Sequence, residues 1–139
     1  MSNASYSRAI SDAIVARLTT GLDPVPVGDA GAPASLGTPP LYAIVDHMDG
    51  TLRSDMDEAD TRLKHVVQIR SVGATRSAAQ YVQDLARDVL LARDLTVAGV
   101  SLMQVVLEVG GRAYRDDDAD PTSLFLAIDR FAFLFDTRG

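Results

Sequence analysis

The sequence predicts an α+β fold: a small mixed, mainly antiparallel β-sheet with two helices packed on one face. Three observations carry this. The stretch Arg62–Arg93 holds one strand, one tight turn and one strongly amphipathic helix with no slack between them. The elements follow in the order helix, strand, strand, helix, strand, strand, with turn residues joining neighbours, as hairpins of an antiparallel sheet require. The last strand is apolar on both faces, so both faces are expected to be covered.

In chain order, Tyr6, Ile10, Ala13, Ile14 and Leu18 recur at helical spacing between Ser5 and Leu22, with Gly21 as the expected end of that helix. Asp23 to Pro40 carries five prolines and three glycines, which remove donors and fix φ, so an extended connector is expected there. Leu41–Met48 is short and apolar enough for a strand, and Asp49-Gly50 is a turn dipeptide. An acidic loop, Ser54–Asp60, leads into the central strand. There Leu63, His65, Val67 and Ile69 alternate with Lys64, Gln68 and Arg70, the pattern of a half-buried strand. Gly73 breaks the run, Thr75 is placed to cap the next helix, and Ala78, Val82, Leu85, Ala86, Val89 and Leu90 form its apolar stripe. Gln80, Gln83, Asp84, Arg87 and Asp88 fall opposite.

After a connector at Leu95–Gly99, Val100–Tyr114 reads as one strand with a bulge or bend near Gly110-Gly111. Arg115–Thr122 reads as a solvated acidic turn. The last strand, Ser123–Asp136, sets Phe125, Phe131, Phe133 and Phe135 on one face and Leu124, Leu126, Ile128, Ala132 and Leu134 on the other. The phenylalanine stripe reads as core. The second apolar face is met either by a neighbouring subunit or by a bulge or second layer within the monomer.

At 139 residues the chain matches one domain, divided into an N-terminal helix at 1–22, a Pro/Gly-rich connector at 23–40 and the sheet with the long helix at 41–139. Cysteine is absent, which excludes disulfides, thiolate metal sites and a cysteine nucleophile. A net charge of −6 with a single lysine, Lys64, argues against a non-specific grip on nucleic acid, which needs clustered cations. No apolar run reaches the roughly 20 residues of a membrane span and no signal peptide is visible, so a soluble chain without membrane partners is expected.

Chemistry-bearing patterns are few. Asp55, Asp57, Glu58 and Asp60 form one acidic cluster and Asp116, Asp117, Asp118 and Asp120 a second. Neither has the alternating oxygens, sixth-position Gly and twelfth-position Glu of a calcium loop, so solvated turns or partner contacts are expected rather than a metal site. His47 and His65 stand without further ligands, and neither a nucleophile elbow nor a phosphate loop occurs. No catalytic residue, metal or cofactor is assigned, and a non-enzymatic protein is expected.

The segment VQIRSVGATRSAAQYVQDLARDVL resembles one in the bacteriophage tail terminator (tail completion) proteins of long-tailed, siphovirus-type actinobacteriophages, where a strand ending Ser-Val-Gly meets Thr-Arg and a long helix. PPLYAIVDHMDG resembles that family's opening strand, DMDEAD its acidic loop, AYRDDDADP its Arg-Asp-Asp turn and IDRFAFLF its closing Asp-Arg-Phe strand. The five pieces fall in the family's order from Pro39 onward. Val67 stands where an aromatic is usual and Ala78 where Gln is usual. The resemblance implies a virion protein that assembles as a homohexameric ring at the head-proximal end of the tail tube. Its partners would be its own copies, the major tail tube protein and a neck or head-completion protein, with double-stranded DNA passing through the lumen without specific binding. Some of the acidic residues named above would then face the lumen or a ring rim that meets another virion protein. Alternatives are a stopper or connector protein of the neck and, from another class, a small ligand- or metal-binding α+β module.

Overall fold

A computed structural model describes residues 3–37, 39–48, 62–116 and 124–136. Among these, two helices, α1 (Asn3–Leu22) and α2 (Arg76–Leu91), accompany strands β1 (Val27–Asp29), β2 (Leu41–Met48), β3 (Arg62–Gly73), β4 (Ser101–Gly110), β5 (Tyr114–Asp116) and β6 (Leu124–Asp136). The sheet order is β1-β2-β3-β6-β4, with β5 beside the start of β6. All pairings are antiparallel except β1 with β2. The sequence-based fold class therefore holds: a mainly antiparallel sheet carries two helices on one face.

The alternation of β3 and β6 sets the two faces. Leu63, His65, Val67 and Ile69 on β3 lie opposite Phe135, Phe133, Phe131 and Asp129 on β6, and all eight are buried. Ile10, Ile14, Leu18 and Leu22 of α1 and Val82, Ala86 and Leu90 of α2 pack onto this inner face with Ala43 and Val45 of β2. Phe131, Phe133 and Phe135 are fully enclosed, whereas Phe125, at the start of the stripe, is half-buried. Thr75 caps α2 in an extended conformation, its Oγ1 accepting from the Ala78 amide at 3.1 Å. The helix closes at Ala92, and Arg93 takes a positive φ of 60°.

Several expectations need correction. Gly21 does not end α1, which runs on to Leu22. A Cβ at Gly21 would lie 2.6 Å from Val89 Cγ2, so this glycine permits the close approach of α1 and α2. The connector 23–40 contains β1, held beside β2 by Ala43 N–H to Pro26 O at 3.0 Å and Ala30 N–H to Val45 O at 2.8 Å. The single strand expected over Val100–Tyr114 is two, β4 and β5, broken at Gly111–Ala113. Arg115 and Asp116 accordingly belong to β5 and not to a turn. On α2, Ala79 and Gln83 are buried and Ala78 and Leu85 only half-buried, which rotates the stripe slightly toward Gln83.

Candidate assembly surface

Among the described residues no helix lies on the outer sheet face. The register assigns its rows: Tyr42, Val72, Leu126 and Tyr114 at one end; Asp46, Gln68, Arg130 and Val109 in the middle; Met48, Val66, Ala132 and Val106 beyond. Tyr42, Ile44 and Val72, with Leu124 and Leu126, make a second apolar cluster separate from the helix-covered core. The alternative of a bulge in β6 that swaps its faces does not hold, because β3 and β6 pair in unbroken register. The irregularities are on β4, between Leu102 and Gln104 and between Leu107 and Val109.

β4 is an edge strand, and its outward side chains stay in water: Val109 is 51% exposed, and Met103 and Val106 are also exposed. Tyr114 on β5 extends the strip at 49%. An edge strand with exposed apolar side chains is a template for another chain, and soluble monomers usually blunt it with charge or proline; here Arg93 already donates to the Met103 carbonyl on this strand. Glu108 on this edge is paired across the sheet, accepting from Lys64 Nζ at 3.2 Å, and toward the opposite side of the sheet Arg70 Nε donates to Asp46 Oδ2 at 2.8 Å. Arg130 has no hydrogen-bond or ion-pair partner among the described residues, and its Nε is buried.

A polar knot beneath the face holds the edge in shape. Asp129, 2% exposed on the inner face, accepts from Arg87 Nε at 2.7 Å, Arg87 NH2 at 2.9 Å, Gln83 Nε2 at 2.9 Å and the Gly111 amide at 3.1 Å. Gln83 also donates to the Gly111 carbonyl at 2.6 Å. A Cβ at Gly111 would collide with the Ile128 carbonyl, so only glycine lets the β4–β5 bend lie this close to β6. The hydrogen bond to Asp129 is the main reason the Arg87 pKa is raised, working against partial burial. Sequence reasoning missed this knot, although its signal was there: Asp129 alternates in phase with the buried Ala127, Phe131 and Phe133, and a carboxylate on such a face needs a cation.

The two histidines meet on the inner face. His47 Nδ1 lies 3.4 Å from His65 Nε2, Ser11 Oγ lies 3.4 Å from the same nitrogen, and His47 Nε2 lies 3.5 Å from Asp29 Oδ1. His65 is 2% exposed; burial, then repulsion from His47, lowers its pKa to about 4. No group of three metal-ligating side chains gathers among the described residues. Asp55, Asp57, Glu58, Asp60, Asp117, Asp118 and Asp120 lie outside the described residues; the backbone of Asp116 ends β5.

No family model and no curated protein sequence matches the chain. Among solved structures it superposes on a chain from the virion of a native gene transfer agent particle with a TM-score of 0.65 and 17% identity, over 94% of this chain and 97% of that one. It also superposes on bacteriophage SPP1 gp17 with a TM-score of 0.52 and 18% identity, over 90% and 88%. At these identities the likeness is one of fold, and it spans nearly the whole of both partners.

Proposed function

We propose that this chain is a structural virion protein, non-enzymatic, that forms a homohexameric ring at the head-proximal end of a phage tail tube, ends tube polymerisation and joins the tail to the neck. The superposition on a virion chain over nearly the full length of both carries the virion role. The motif resemblance, from the Ser-Val-Gly strand to the closing Asp-Arg-Phe strand, supports the terminator position. An exposed apolar edge strand and a sheet face without a helix among the described residues fit a subunit that closes a ring through heterologous contacts, where one patch meets a different patch on the next copy. A net charge of −6 fits a lumen that lets DNA slide, since like charge keeps phosphate from adhering.

Electron microscopy with a label fused to the chain tests this. The expected result is a closed sixfold ring on the tube end nearest the head, with overlong tubes when the chain is missing. A label within the head connector would transfer the role to the neck protein. A monomer at every concentration, with no label on tube ends, would overturn the ring.

A further inference from the structure

We infer that Arg130 anchors the contact between copies, its guanidinium taking a carboxylate from the neighbouring copy of this chain across the outer sheet face; this rests on the proposed ring. Four observations converge. Arg130 points outward because β6 alternates, between Gln68 on β3 and Val109 on β4. Asp46 with Arg70 and Lys64 with Glu108 are already neutralised on that face, while Arg130 has no partner among the described residues. Its Nε is buried, and a buried donor without an acceptor is a standing cost that a partner from outside would remove. Finally, apolar side chains adjoin it away from Gln68: Val109 and Val106 on the edge strand are exposed, and Ile128 and Ala132 flank it along β6. An arginine beside exposed apolar side chains is the composition of an interface hot spot.

Charge complementarity selects the occupant. The chain holds 19 acidic and 13 basic residues, so a second copy arrives rich in carboxylates, and a guanidinium takes one through two parallel bonds. A phosphate backbone would instead need several unneutralised cations in a track, and among the described residues this face offers one.

The test compares wild-type chain with Arg130→Gln by sedimentation and negative-stain microscopy over a range of concentrations and salt, with tube ends added where free rings do not form. The ring-forming concentration is expected to rise roughly 30-fold or more, since truncating one partner of a buried interfacial charge pair weakens binding at least that far. Its salt dependence should weaken while the thermal midpoint stays in place. If Gln folds poorly, Arg130→Met keeps the packing of the stem and should show the same loss. Wild type and variants assembling alike at every salt would overturn the role of Arg130 and leave the ring standing. Intact rings with lost duplex binding, or with lost tube joining, would overturn it too, reassigning Arg130 to phosphate or to the tube. A wild type that forms no ring even on tube ends would overturn both.

Discussion

Removing Arg87 tests the knot that shapes the exposed β4–β5 edge. Asp129 is enclosed, and the four donors around it come from Arg87 twice, Gln83 and the Gly111 amide. In Arg87→Ala the carboxylate keeps two neutral donors and loses its only paired cation, a change that in buried pairs costs about 3 to 5 kcal/mol. Because the Arg87 side chain is 31% exposed, solvent screens part of the pair, and about 2 to 4 kcal/mol is expected. Asp129→Asn should cost less, about 1 to 2 kcal/mol, because the freed guanidinium can turn to water while the amide retains its shape and one acceptor. The two effects should not add, and a double-mutant cycle should return a coupling of about 1 to 3 kcal/mol. Urea denaturation followed by circular dichroism gives the energies, and hydrogen exchange gives the location: the Gly111 amide should exchange faster in Asp129→Ala. An Arg87→Ala midpoint equal to that of the parent, with Gly111 still protected, would refute the buried-pair argument.

Three further outcomes follow from burial and charge. Leu90→Ala should cost about 2 to 5 kcal/mol, whereas half-buried Leu85→Ala should cost about 1 to 2, measured by denaturant midpoint; the reverse order would mean that α2 is rotated from its assigned face. His65, lowered to about 4 in the folded chain, binds its proton more weakly than in the unfolded chain near 6.5, so stability should be full above that value, fall as pH drops toward 4, and lose about 3 kcal/mol in all. Ser11 beside His65 and Asp29 beside His47 are the groups around this histidine pair, and His65→Leu should flatten the profile in that window; a profile equally steep in both would remove His65 as its source. Met48 and Arg62 lie at one end of the sheet and Asp116 and Leu124 at the other, roughly 40 Å away along β3, so neutralising Asp55, Asp57, Glu58 and Asp60 or Asp116, Asp117, Asp118 and Asp120 should impair at most one virion junction each, scored by tube length and head attachment in micrographs.

How much was legible depended on whether a segment is held by side-chain periodicity. β3, α2 and β6 announce themselves, because a period of two or 3.6 repeated over ten or more residues has few competing readings. β1 is three residues among prolines, and backbone bonds to β2 fix it, so no side-chain pattern could reveal it. Polarity alone places Gln83 on the solvent face, yet two hydrogen bonds make its burial tolerable. The break between β4 and β5 was visible as a glycine pair, but its cause, an Asp129 carboxylate 18 residues later, depends on a register that only folding supplies.

The same logic explains why one dipeptide joins the core to the outer sheet face. In a loop, Asp129 and Arg130 could neutralise each other; in a strand, successive side chains point to opposite faces, so β6 denies them that contact. Each charge must therefore find a counterpart elsewhere. Asp129 turns inward, where α2 brings Arg87 and Gln83 within hydrogen-bond distance and the β4–β5 bend adds an amide. Arg130 turns outward onto a face whose other ion pairs are already made. Reversing the order to Arg-Asp would bury a guanidinium beside another guanidinium and offer a carboxylate to an already acidic partner. The order Asp-Arg is thus demanded twice, once by the helix packed against the inner face and once by the charge of the copy that the outer face is proposed to meet.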